Sequence, residues 1–324
     1  MVTAVAISQD HTFIAVGHQD GSIHLYSLLK PSIPARSVPP TTLSQVRTGR
    51  KEGHLKGTRI LHLGFIGARH TAIVSADEMG LSFYHSLGKV LMLASTDIIR
   101  MLGNYPDPST YSPPTSTISS PPNERISSTS MTTPRKKPTT ILSMAPLPLG
   151  PTPHPPSDSL NLVALLTPTK LVVVGLKPVP RTWWRFSYPR TNGDETSLNG
   201  NGGSETGEGG KGYEESGVLG WWPSYRRTNE EEPEAESGDS MNGKKEIGGE
   251  VGEDPMLAWA WGRKVRLVRV KSSRKENEVL TKATVAGVEF SEMGSWECDS
   301  RVLALKWYSE SVSSFLNHSR SCWY

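Results

Sequence analysis

Only two of the 324 residues are cysteine, Cys298 and Cys322. Both come too late in the chain to staple its body, so a disulfide framework is excluded and a reducing compartment is expected. Long apolar runs are missing as well: none approaches the roughly 20 residues that a bilayer-crossing helix needs. Met1 to Ile7 has no basic opening of the kind a secretory signal carries. The chain therefore reads as soluble, without signal peptide or membrane span. Cys and His pairs at zinc spacing are absent. The Gly-rich stretch GNGGSETGEGG has neither a preceding strand nor the Gly-Lys-Ser/Thr ending of a phosphate loop. With no nucleophile, base and acid constellation, the sequence predicts a non-enzymatic protein with no cofactor and no metal. Helix is scarce: Thr96 to Leu102, with DIIRML at its centre, is the one segment read as a helical turn or two.

Charge is present but unevenly placed. The formal net charge is +3, yet 16 acidic residues against 5 basic ones fall between Thr191 and Asp254, which leaves 30 basic and 16 acidic elsewhere. Such a basic remainder favours anionic partners or simply solvates strand edges. Nucleic acid is not expected, because the basic residues are not interleaved with exposed aromatic platforms.

β-rich runs recur along the chain. TAVAISQDHTFIAVGHQDGSIHLYSL, Thr3 to Leu28, holds three short runs divided at Asp10-His11 and at Asp20-Gly21, and Asp-Gly supplies the positive φ of a tight hairpin turn. The order repeats at Arg59 to Leu87, where Gly80 falls on Gly21 and Asp77 serves as turn acid like Asp20. A third copy covers Thr139 to Pro178. A fourth begins at GVLGWWPS, Gly217 to Ser224, and resumes at Pro255 to Val270. A fifth opening strand, RVLALKWYSE, starts at Arg301 and shows no continuation. FIAV is apolar at four consecutive positions, which implies burial on both faces. Units that cannot bury their own sheets predict a propeller or array.

Two tracts interrupt the repeats. Asn104 to Pro138 holds 8 Pro and 14 Ser or Thr in 35 residues, and Thr191 to Asp254 combines its acids with 15 Gly. Both are expected to be disordered, except for a strand at Val218 to Trp222. Ser112, Ser120 and Thr133 each precede Pro, and Thr133-Pro-Arg-Lys suits a proline-directed kinase.

Among the remaining candidates, Trp183-Trp184 and Trp221-Trp222 serve either as partner anchors or as blade packing. Arg266 and Arg269 lie in VRLVRV, where charges on both faces suggest an outer or edge strand. His18, Asp20 and His24 bracket a hairpin, which turn chemistry and strand alternation explain without a metal.

Gly53-His54, followed about thirty residues on by Phe83-Tyr84, resembles the glycine-histidine opening and tryptophan-aspartate close of a WD repeat. In that family histidine, a turn aspartate, a Ser or Thr and the Trp form a buried hydrogen-bonded set. Tyr26 and His85 stand where Trp is expected, so the set is left open here. Longer strings, from KEGHLKGTRILHLGFIGARHTAIVSADEMGLSFYHSLGKV to DPMLAWAWGRKVRLVRV, resemble the propeller of the vacuolar protein sorting-associated protein 8 family of fungi. The resemblance implies an endosomal tethering (CORVET) subunit that engages an early-endosomal Rab GTPase and other tether subunits, peripheral on the endosome membrane. A phosphoinositide-binding propeller is the alternative.

The expected fold is all-β: an incomplete WD-repeat-like β-propeller of about four blades plus one extra strand. Residues 1–103 carry blades one and two, 139–190 blade three, and 255–309 blade four with the extra strand. The insertions are 104–138 and 191–254. The chain reads as a fragment that begins inside a blade, and 310–324 as a tail outside the family.

Overall fold

The structure is a computed structural model that describes residues 1–50, 52–67, 70–90, 93–107, 139–150, 156–188, 216–226, 252–274, 285–309, 312–317 and 321–323. Blade one is a four-stranded antiparallel sheet of β1 (Val2–Ile7), β2 (Phe13–His18), β3 (Ile23–Ser27) and β4 (Arg36–Val38). A five-residue helix, α1 (Leu43–Arg47), follows. Blade two consists of β5 (Ile60–Phe65), β6 (Ala72–Asp77), β7 (Ser82–Val90) and β8 (Leu93–Leu102). Blade three consists of β9 (Ser143–Pro146), β10 (Leu162–Leu166), β11 (Lys170–Gly175) and β12 (Arg181–Ser187), with a 3-10 turn at Pro156–Leu160.

Blade four opens with β13 (Gly217–Trp222). The pair β14 (Tyr225–Arg226) and β15 (Gly252–Glu253) forms a separate small ladder, and β16 (Met256–Trp261), β17 (Lys264–Arg274) and β18 (Val285–Glu297) complete the blade. The last sheet has three strands, β19 (Val302–Ser309), β20 (Val312–Asn317) and β21 (Ser321–Trp323). The first strands lie side by side around one axis: β1 beside β5, β5 beside β9, β9 beside β13 and β13 beside β19. This is an all-β propeller whose ring of sheets does not close.

Apolar clusters fill the spaces between successive blades, and this explains the runs without alternation. In β10 and β11, Val163, Leu165, Val172 and Val174 face blade two. Leu162, Ala164, Leu166, Leu171 and Val173 face blade four. A strand between two neighbours is buried on both faces and needs no polar side.

Four expectations change. Thr96 to Leu102 is strand, paired along β7 from Val90↔Leu93 to Ser82↔Leu102; seven residues are too few to hold a helix against a complete ladder. The strand VRLVRV is not an edge, because β17 lies between β16 and β18. The fifth opening strand does continue, into β20 and β21. The tract from Thr191 to Asp254, expected to be disordered apart from Val218 to Trp222, also holds the paired strands β14 and β15. Helix α1 is a further element that the sequence reading missed; its signal is a Thr-x-x-Gln capping box, in which Thr42 and Gln45 satisfy each other's backbone N–H groups.

Candidate interaction surfaces

Blade two holds a buried hydrogen-bonded chain. His54 lies on the segment entering β5, Ser75 and Asp77 on β6, and His85 on β7. His54 Nδ1 is 2.8 Å from Asp77 Oδ2, and His54 Nε2 is 2.7 Å from Ser75 Oγ. Ser75 Oγ is in turn 2.7 Å from His85 Nε2. All four residues are buried.

Asp77 accepts from the backbone N–H groups of Met79 and Leu81 through Oδ1, so its Oδ2 takes the Nδ1–H of His54. Read in the direction of a WD repeat, His54 Nε2 accepts from the Ser75 hydroxyl, which accepts in turn from His85 Nε2–H. An indole N–H would make that last donation in a WD repeat. His85 supplies it with an imidazole, and its Nδ1 has no partner. Burial, and secondly the nearby His54, pushes His85 down to about 3, which keeps it neutral. Sequence reasoning left this set open because it looked for Trp; the signal for His85 was a buried donor at the right strand position.

The turn residues repeat between blades. Asp20 accepts from the Ser22 backbone N–H and hydroxyl, and these bonds, the hydroxyl first, hold its carboxyl below the usual range. Gly21 and Gly80 have φ of 89° and 87°. A Cβ at Gly21 would meet the Leu55 carbonyl at 2.5 Å, and one at Gly80 would run into the Thr139 carbonyl. Each turn thus presses against the segment that leads into the next blade. Gly53, with φ of 82°, offers its carbonyl to the Tyr105 hydroxyl, which burial pushes up to about 12.

Trp184 packs between blades three and four, stacked on Phe290 at 4.9 Å and edge-on to Trp259 at 5.6 Å. Trp183 is half-buried under the Arg181 guanidinium, 3.4 Å from its ring centre. Trp221 donates its Nε1–H to the Ala145 carbonyl across to blade three. Arg266 pairs with Glu292 at 2.8 Å and lies over Phe186, while Arg269 is half-buried. Structure therefore brings Trp184 and Arg266 together around Phe186, Trp259 and Phe290 as one inter-blade contact. His18 and His24 face each other with ring centres 4.8 Å apart. Ser112, Ser120 and Thr133 lie outside the described residues.

Among the described residues, apolar side chains are exposed on both end strands. On β1, Val5 and Ile7 are 57% and 58% exposed, and on β19 Leu303 is 54% exposed. Each of these strands packs one side against its neighbouring blade, through Ala4 and Val302, and leaves these side chains exposed at the two ends of the open arc.

Inner strands that abut in sequence order, inter-blade apolar layers and the His–Ser–Asp chain in blade two define an open β-propeller of the WD type. The chain belongs to the Vps8 beta-propeller family, whose model matches residues 1–323 and so includes β20 and β21. No curated protein matches it. Among solved structures it is similar to the Cps50 (Swd1) beta-propeller domain of Myceliophteria thermophila. Identity there is 9% and TM-score 0.45, over 98% of this chain and 67% of that one. A chain of a Mitotic Checkpoint Complex matches at 11% identity and TM-score 0.43, over 98% of this chain and 59% of that one. No helix among the described residues is long and apolar enough to cross a membrane.

Proposed function

We propose that this chain is a non-enzymatic interaction scaffold, the propeller of an endosomal vesicle-tethering (CORVET) subunit. It engages an early-endosomal Rab GTPase and other tether subunits, and through them acts peripherally on endosomes in sorting to the vacuole or lysosome. The observation that carries this reading is membership of the Vps8 beta-propeller family over residues 1–323. The open end faces support it, because exposed apolar sheet faces are surfaces that a partner can cover. The phosphoinositide alternative through the basic strands gains nothing from Arg266, whose guanidinium is already held by Glu292 and Phe186.

The test is retention of the full chain on an immobilised early-endosomal Rab loaded with GTP or GDP, with and without the other tether subunits. Retention that depends on GTP is expected. Equal retention in both nucleotide states, or none even with the other subunits present, would contradict the reading.

A further inference from the structure

The exposed large apolar side chains among the described residues are not scattered. Apart from Met1 and Met293, they divide between the two open end strands and two hairpin tips: Leu28, Leu29 and Ile33 in blade one, and Val179 in blade three. Both tips join the third strand of a blade to its fourth, β3 to β4 and β11 to β12. The first strands run the same way around the axis; Gly64 near the end of β5 abuts Pro146 at the end of β9. Hairpins in the same position of two blades therefore emerge on one face, at its outer rim.

The tips share a composition. Blade one presents Leu-Leu-Lys-Pro-Ser-Ile-Pro from Leu28 to Pro34, and blade three presents Lys-Pro-Val-Pro from Lys177 to Pro180. In each, an apolar residue sits between prolines that stiffen the tip, with an exposed lysine beside it. Leu29 is 89% exposed, Ile33 71% and Val179 68%. Along the chain, Gly21 to Lys51 and Ser159 to Gly193 each hold five Lys or Arg and no Asp or Glu.

We propose that this outer rim contacts an anionic lipid bilayer directly, with Leu29, Ile33 and Val179 entering the interface and Lys30, Arg36, Lys177 and Arg181 facing its headgroups. Apolar side chains that insert while flanking cations meet an anionic surface are the chemistry of peripheral membrane contact. A protein partner would need separate apolar pockets matched to tips two blades apart. A bilayer accepts both tips at one depth. This contact stands apart from the tether reading, since it needs neither a Rab nor another subunit.

Flotation of the full chain with vesicles of phosphatidylcholine alone, or with phosphatidylserine added, tests it. Binding is expected only when phosphatidylserine is present. The combined Leu29→Ser, Ile33→Ser and Val179→Ser variant should lower partition by about tenfold or more with an unchanged melting temperature. Lys30→Glu with Lys177→Glu should lower it on the anionic vesicles as well. Val5→Ser with Ile7→Ser, which alters the open end face instead, should leave it intact. The proposal is overturned if the wild-type chain binds neither vesicle, binds both equally, or loses binding through the end-face variant and not through the tip variant.

Discussion

His85 places an imidazole where a WD repeat uses an indole, and an imidazole can take a proton. Its folded value of about 3 lies below the ordinary 6.5, so the neutral form belongs to the folded state. The stability it confers is fully present above pH 6.5 and is lost progressively as pH falls from there through about 3, because the unfolded chain binds the proton first. Urea unfolding across that window should show a steep loss in the wild type. The His85→Gln variant should flatten the slope by up to about one proton, about 1.4 kcal/mol per pH unit. Equal slopes would mean that His85 does not titrate between the two states. Ser75→Ala tests the same chain differently: it removes the central hydroxyl and leaves two buried imidazole nitrogens without partners, a cost of about 3 kcal/mol. Asp20, Asp77, Gly21 and Gly80 were legible from spacing alone, since a turn requires an acceptor acid and a positive φ. For His85 only the position was legible, at the place of the Trp; nothing in its neighbourhood marks which nitrogen it offers.

Strands with a neighbour on each side announce themselves. FIAV reads as buried on both faces, but of these four residues in β2 only Ala15 is buried while Phe13, Ile14 and Val16 are half-buried, as suits a blade with one neighbour; the two-faced burial belongs to LVALL and KLVVVG of β10 and β11. Strand β8 was hidden: Thr96 to Leu102 mixes charged and apolar residues in a pattern that either period fits, and only the β7 ladder decides it. The charges of β17 misled in the other direction, because Arg266 is carried inside the sheet by Glu292 and the Phe186 ring. The same contact gives a prediction for the blade three to four boundary. Trp184→Ala removes an indole stacked on Phe290 and edge-on to Trp259 and should lower unfolding free energy by about 3 kcal/mol. Arg185→Ala, at an exposed neighbour on the same strand, should change it by less than about 0.5 kcal/mol. Similar losses from both would show that Trp184 is not part of the packed layer.

At the level of the molecule, the repeat of strand and turn was enough to specify a propeller, because sheets that cannot cover themselves must stack. The number of strands in the first and last sheets was not legible, since β4 is three residues long and β20 and β21 depart from the pattern of the earlier copies. An arc that does not close has inner sheets covered twice and end sheets covered once, so local stability should fall from the middle toward both ends. Hydrogen exchange of the full chain, followed strand by strand, measures this directly. Slow exchange is expected in Leu162–Leu166 and Lys170–Gly175 and much faster exchange in Val2–Ile7 and Val302–Ser309. Equal protection of all four strands in a monodisperse monomer would contradict the open propeller.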